Sequence, residues 1–128
     1  MIERRVTVVL VALATAAVPA SAAARHGGSG THRAVGACIG SATSKLKVTP
    51  DHNRLEVQFE LDQNRNGVKW RVVMMRDSST VVRTSARTKA PGGSFSIERA
   101  IANPAGVNEV TVTATHSSRL VCTVHVRL

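Results

Sequence analysis

The sequence predicts an all-β protein built as a single seven-stranded, two-sheet sandwich. Two observations support this prediction. From about residue 38 onwards the chain consists of short segments in which apolar and polar residues alternate, and none shows the period of an amphipathic helix. Turn-forming residues, mainly Gly, Pro, Asn, Asp and Ser, separate these segments about every 8 to 12 residues, which is typical of sandwiches.

The first three predicted strands have the clearest alternation. Residues 45–48 alternate Lys with Leu and Val, and the turn cluster that follows makes them the first half of a hairpin. Residues 54–61 place all their apolar side chains on one face, as a half-buried strand does. Residues 68–76 place Trp70 with other apolar side chains on one face and Lys and Arg on the other. The outer face of this third strand is therefore predicted to be cationic.

The other four strands are predicted at residues 80–87, 94–101, 109–116 and 120–128. The first of these is rich in Thr, Ser and Val and ends before a Pro-Gly-Gly turn, so we expect it at the edge of a sheet. The last two alternate apolar residues with Thr, His and Arg. Each is therefore expected to turn one face toward the core.

The N-terminal residues 1–22 have the pattern of a secretory signal peptide. Two arginines precede an apolar run at residues 6–18, which is followed by Pro19 and small residues. An uncleaved membrane anchor is the alternative. A helix that crosses a bilayer needs about 20 apolar residues, and this run is shorter, so we expect cleavage near Ala23.

Residues 23–37 are rich in glycine and polar residues and show no apolar periodicity, which predicts a flexible linker. Residues 38–128 then form the sandwich domain. A chain of this length is enough for one hydrophobic core, and we expect one domain.

Cys38 and Cys122 are the two cysteines of the chain. Because an exported protein meets an oxidising environment, we expect them to form a disulfide. The bridge would close a loop of about 84 residues and contribute about 4 to 5 kcal/mol in the loop-entropy model. A metal site is the alternative, but the two cysteines lack the paired spacing of zinc ligands.

Seven short strands with a single tryptophan in the third resemble the immunoglobulin-like and fibronectin type III sandwiches. In immunoglobulin domains the bridge joins the second and sixth strands, whereas here it would join the two ends of the domain. Residues 46–48, 54–57, 62–67 and 90–95, together with Trp70, also look like segments of small secreted actinobacterial proteins of undescribed function. That resemblance implies export and a sandwich fold, and it implies no activity.

The formal net charge of +9 favours anionic partners, and we expect an anionic cell-wall polymer or a membrane surface. A merely solvated basic surface is the alternative. Specific nucleic-acid recognition is not expected, because the chain has no Tyr, one Trp and two Phe with which to stack bases. The predicted polyanion-binding residues are Lys45, Lys47, Lys69, Arg71, Arg83, Arg87 and Lys89.

Residues 62–67 match the first half of a calcium-binding loop, with Asp62, Asn64 and Asn66 as the candidate oxygen ligands. The bidentate Glu that a complete loop needs is replaced by Val73, inside a predicted strand. A tight turn at Asn66 and Gly67 is therefore the favoured interpretation.

No catalytic or cofactor motif stands out in the sequence. We therefore expect a non-enzymatic binding or structural module without a cofactor, acting at the cell envelope or outside the cell. The alternative is a small-molecule carrier with a cleft between sheet and loops, similar to the seven-stranded secreted apoproteins of actinobacteria that hold antibiotic chromophores.

Overall fold

The structure is a computed structural model that describes residues 30–107 and 109–128. The predicted signal peptide at residues 1–22 and the first part of the predicted linker lie outside the described residues. Within the described part of the chain every helix or strand element is a β-strand, which confirms the all-β prediction. A search of the same residues finds no helix that is long and apolar enough to cross a bilayer.

The predicted count of seven strands is wrong, because the described residues form nine. The strands are β1 (His32–Val35), β2 (Ala37–Ile39), β3 (Thr43–Asp51), β4 (Arg54–Asp62), β5 (Lys69–Arg76), β6 (Ser79–Arg87), β7 (Ser94–Ala102), β8 (Glu109–Ser117) and β9 (Leu120–Arg127).

The seven predicted strands correspond to β3 through β9, and all but the first agree with the observed bounds to within one residue. β3 is longer than predicted at both ends, because it pairs with β4 along its whole length, from Thr43 opposite Asp62 to Asp51 opposite Arg54. The turn between them is reduced to two residues. One of these, His52, has a left-handed φ of 57°.

The nine strands form two antiparallel sheets. The four-stranded sheet has the order β1-β3-β4-β7, and the five-stranded sheet has the order β2-β9-β8-β5-β6. β6 lies at an edge of its sheet, as its polar sequence predicted. The pairs β4·β7 and β5·β8 join strands that are distant in sequence, so the chain crosses between the sheets several times.

The inward side chains of both sheets form one core. Trp70 is fully buried on β5, and its indole Nε1 donates a 3.0 Å hydrogen bond to Oε1 of Gln63 in the loop before the strand. The buried ring brings the largest apolar area, and the hydrogen bond satisfies its polar atom. The other fully buried large side chains are Phe59, Leu46, Leu55, Leu61, Met74, Val48, Val57, Val72, Val110 and Val112.

Of the two additional strands, β1 and the first residue of β2 occupy part of the sequence that was predicted to be a flexible linker. β1 pairs with β3, with His32 opposite Val48, and β2 pairs with β9, with Cys38 opposite Cys122. These strands have only four and three residues. An alternation this short is hard to distinguish from a polar loop, so only the pairing with distant strands identifies them.

The chain passes from one sheet to the other at Gly36, between β1 and β2. The Gly36 amide donates a 2.8 Å hydrogen bond to the Ser44 carbonyl oxygen. A Cβ at this position would clash with Oγ of Ser44 and would lie 2.9 Å from Cβ of Val124. Glycine is therefore required by the close approach of two strands, one from each sheet.

The predicted disulfide between Cys38 and Cys122 is confirmed. The two residues face each other across β2 and β9, with their Cα atoms 4.1 Å apart and 84 residues of sequence between them. Both strands belong to the five-stranded sheet. The bridge thus ties the first strand of this sheet to the last strand of the chain, and it does not link the two sheets as an immunoglobulin bridge does.

We predict that Cys122→Ser lowers the melting temperature by at least about 10 °C, because the long closed loop is lost and a hydroxyl replaces a buried sulfur. Circular dichroism melting measures the change. The double variant Cys38→Ser/Cys122→Ser serves as the control for effects of a free thiol. Identical melting curves of the wild-type protein with and without reductant would contradict the prediction.

We predict that Gly36→Ala destabilises the fold by about 1 to 3 kcal/mol, because the added methyl group has no space between Ser44 and Val124. The matched control is Gly92→Ala, where a Cβ meets no atom within 4 Å. Urea unfolding of both variants gives the comparison. Equal midpoints for the two variants would show that the crossing between sheets tolerates a side chain.

Candidate functional site

Four predicted anion-binding residues, Lys69, Arg71, Arg83 and Arg87, lie on the outer face of the five-stranded sheet. Lys69 is opposite Arg87, and Arg83 is opposite Val73, so all four side chains leave the same side of the hairpin formed by β5 and β6. All four residues are exposed. We call this set of four residues the cationic face.

The sequence places these cations outward because the intervening residues of β5 are needed inside. Trp70, Val72 and Met74 are fully buried, and their neighbours must therefore face solvent. On β6 the side chains are mostly Thr, Ser and Val, and the strand has a neighbour on one side only. Arg87 is held at the end of the hairpin, where its Nη1 donates a 3.2 Å hydrogen bond to the Gly67 carbonyl oxygen.

Few acidic groups lie near the cationic face. In the three neighbouring strands β5, β6 and β8, the single acidic residue is Glu109. Its carboxylate lies 3.7 Å from Nε of Arg127 on β9. Glu109 begins β8, whereas Thr115, the residue opposite Arg71, lies near the other end of that strand. The positive charge of the face is therefore not neutralised within the sheet, and its field extends into solvent over about a Debye length.

A groove of about 470 Å³ lies on the cationic face. Arg71 and Arg83 flank it, and Val73 lies between them on the strand surface. Three hydroxyl-bearing side chains on the same side of the sheet, Ser85, Thr113 and Thr115, also line the groove. Val72 and Thr84, which alternate with the outward residues, are its other lining residues. We call this feature the Arg71–Arg83 groove. The groove therefore combines two guanidinium groups with three hydroxyl groups on the outer face of one sheet.

Sequence reasoning missed the three hydroxyl residues of this groove. For Thr113 and Thr115 the available signal was the alternation of threonine at positions 111, 113 and 115, which places these side chains on the outer face of β8. His116 is the last residue of the predicted strand at residues 109–116. It lies in β8, where its Nδ1 is 2.8 Å from the Lys69 carbonyl oxygen and its ring lies against Trp70, with centroids 5.9 Å apart.

Lys45 and Lys47 do not belong to the cationic face. They lie on β3, on the outer face of the four-stranded sheet, opposite Glu60 and Gln58 of β4. Glu98 on β7 is opposite Gln58, which adds a further acidic group to that surface. The predicted polyanion-binding residues are thus divided between two sheets, and the two on β3 lie among carboxylates.

Lys89 lies two residues beyond the end of β6, in the connection to β7. Its amide donates a 2.9 Å hydrogen bond to the Ser94 carbonyl oxygen, so its backbone is fixed in a bridge. Because Arg87 ends β6, Lys89 follows the Arg87 end of the cationic face along the chain. Lys89 is therefore a further positive charge close in sequence to Arg87, but it lies outside strand β6.

The candidate calcium residues lie on a loop whose observed hydrogen bonds are those of a turn. Oδ1 of Asp62 accepts a 3.0 Å hydrogen bond from the Asn64 amide, and Asn64 has a φ of 58°. Gly67 also has a positive φ, of 76°, while Asn66 does not. Within the described residues, no three His, Cys, Asp or Glu side chains are grouped as metal ligands. Calcium binding by Asp62, Asn64 and Asn66 stays a prediction.

This loop is packed against the connection between β6 and β7. Thr88 is buried, and its Oγ1 donates to the Arg65 carbonyl oxygen and accepts a 2.9 Å hydrogen bond from the Val68 amide. Gly93 approaches the backbone of Arg65 so closely that a Cβ would clash with it. The loop that precedes β5 is therefore fixed, and with it the Lys69 end of the cationic face.

A comparison of the chain with protein-family models, with curated proteins and with solved structures finds no match.

Proposed function

We propose that this protein is an exported, non-enzymatic binding module that contacts anionic polymers of the cell envelope through the cationic face. The observation that carries the proposal is the separation of charge between the two sheets. Four cations share one outer face, and the acidic residues near it, Glu109 of β8 and Asp77 in the β5–β6 turn, lie together at one end of the hairpin, while the lysines of the other sheet lie among carboxylates. A surface that merely kept the protein in solution would not need this separation.

The physical basis of such binding is the release of counterions. A flexible polyanion carries a layer of condensed cations, and each protein cation that replaces one of them returns it to the solvent. The side chains of Lys69, Arg71 and Arg83 form no ion pair with any described residue. They need not leave an internal partner in order to bind.

The proposed export rests on the predicted signal peptide and is supported by the disulfide. A disulfide that joins Cys38 to Cys122 is typical of proteins that work in oxidising compartments, and it is rare in the cytosol. The cell envelope and the external medium are such compartments, and the envelope carries abundant anionic polymers.

The surface favours a polymer over a membrane as the partner. The large apolar side chains that are exposed among the described residues are Val35, Ile39 and Leu128. Val35 belongs to the four-stranded sheet, and Ile39 lies on β2, at the opposite edge of the five-stranded sheet from β6. The cationic face thus lacks the apolar side chains that would insert beneath lipid headgroups.

A carrier of small molecules would need a cleft between a sheet and its loops. The Arg71–Arg83 groove and a second groove of about 370 Å³ beside Val35 and Lys45 both lie on the outer faces of sheets. These positions suit an extended ligand on the surface better than a small molecule enclosed by the fold.

We further propose that the fold is an elaborated fibronectin type III-like or immunoglobulin-like sandwich. The strand order supports this: without β1 and β2, the sheets reduce to β3-β4-β7 and β9-β8-β5-β6, a division into three and four strands. Trp70 on the third of these seven strands is a buried core residue, as the tryptophan of the third strand is in immunoglobulin domains.

We predict that the purified protein co-sediments with cell-wall sacculi at about 50 mM salt and is released at about 500 mM, because counterion release loses its free energy as salt rises. Arg71→Gln/Arg83→Gln is expected to reduce the salt slope of log K by about 1.4 to 1.8, since two contacts to anionic groups are removed. Sedimentation across a salt series, followed by quantitative electrophoresis, measures both quantities.

The matched control is Lys45→Gln/Lys47→Gln, which removes the same charge from the other sheet and should change the slope much less. An equal loss in both double variants would show that total charge, and not the cationic face, determines binding. Absence of binding at the lower salt would overturn the proposal. Binding to anionic vesicles but not to sacculi would assign the face to a membrane surface instead.

A further inference from the structure

We infer that the Arg71–Arg83 groove binds the phosphodiester groups of a linear polyol-phosphate polymer. This inference rests on the proposed function and names the chemistry of its partner. It is carried by the combination of two guanidinium groups and three hydroxyl groups that line one groove on the cationic face.

The two arginines provide the part of the site that recognises phosphate. A guanidinium presents its N–H donors in a planar fork that matches two oxygens of a phosphate group. Arg71 and Arg83 lie on neighbouring strands, on the same side of the sheet and two residue pairs apart in register. Neither side chain has a hydrogen bond or ion pair with a described residue, so both forks are open to a ligand.

The hydroxyl groups distinguish this groove from a simple cationic surface. Ser85 and Thr115 are directly opposite Arg71, and Thr113 is opposite Val73. Their hydroxyls make no hydrogen bond to another described residue. Each hydroxyl donates one hydrogen bond and accepts others, so the set complements the phosphate oxygens and also the hydroxyls of the adjacent polyol.

The dimensions of the cationic face favour a polymer with repeated charges over a single headgroup or free phosphate. Arg83 and Arg87 are four residues apart on one strand, which corresponds to about 13 Å, and Lys69 and Arg71 are about 7 Å apart. Three levels of the hairpin therefore carry positive charge. The first level holds the pair Lys69 and Arg87, the second holds Arg71, and the third holds Arg83. One phosphate occupies one level, while a chain of phosphodiesters contacts all three.

A nucleic acid shares the phosphodiester chemistry but brings bases that need stacking partners. Trp70 and Phe59 are fully buried, and Phe95 is nearly so. The apolar side chain on the outer face of the groove is Val73, which lies between Arg83 of β6 and Thr113 of β8. A polyol repeat fits this surface, since its hydroxyls pair with serine and threonine and it has no aromatic face to cover.

The test measures binding to three soluble polyanions by fluorescence anisotropy at about 100 mM salt, where electrostatic contacts are partly screened. The probes are labelled poly(glycerol phosphate), poly(L-glutamate) and oligodeoxythymidylate of matched charge number. We expect poly(glycerol phosphate) to bind about tenfold more tightly than the other two. Equal or tighter binding of either of the others would overturn the inference.

The hydroxyl contribution is tested with Thr113→Val/Thr115→Val, which preserves the charge and replaces each hydroxyl by a methyl group on a strand that favours valine. Loss of hydrogen bonds to an anion should weaken poly(glycerol phosphate) binding about tenfold, with less than a twofold change for poly(L-glutamate). The matched control is Thr111→Val/Thr123→Val, on the same outer face but not part of the groove lining.

Arg71→Lys/Arg83→Lys supplies an independent arm if the valine variant does not fold. It keeps the charge, so the salt slope should stay unchanged, while loss of the two forks should weaken poly(glycerol phosphate) binding about fivefold or more. Unchanged affinity in this variant would overturn the inference. If no polyanion binds at low salt, the proposed function itself fails. If all three bind equally, the proposed function stands and only the phosphodiester assignment is lost.

Discussion

Burial of alternate side chains between two sheets is the constraint on which the rest of this structure depends. In β5 the inward positions are taken by Trp70 and its apolar neighbours, so Lys69 and Arg71 have no other place than the outer surface. The same rule applies to β8, where Val110, Val112 and Ala114 are buried and threonines alternate with them. The outer surface is thus a direct consequence of how the core is filled, because the residues that alternate with the core positions determine its charge and polarity.

This constraint explains which parts of the fold could be predicted from sequence. Strands β3 to β9 each contain at least two apolar residues in alternation, and hairpins between consecutive strands follow from the short turns. β1 and β2 could not be found this way, because a strand of three or four residues gains its stability from distant partners, such as Val48 for His32. The order of strands in each sheet depends on similar long-range pairings, including β4 with β7 and β5 with β8.

The candidate site shows the same division. Sequence alternation identified the outward cations but could not group them, since β3 and β5 belong to different sheets. The groove could not be predicted from the sequence, because it depends on the pairing of Thr115 with Arg71, which are 44 positions apart. A net charge of +9 describes the whole chain, yet the charge of each outer face depends on where Glu56, Glu60 and Glu98 lie relative to the cations.

The position of β6 at the edge of its sheet has a consequence for the behaviour of many copies at once. A nine-residue edge strand rich in valine and threonine presents unpaired backbone groups that invite edge-to-edge pairing with another copy. Arg83 and Arg87 place two positive charges on this strand, and two copies that approach along it repel each other. Two residues of the cationic face, Arg83 and Arg87, therefore also oppose the assembly of many copies into continuous sheets at high concentration.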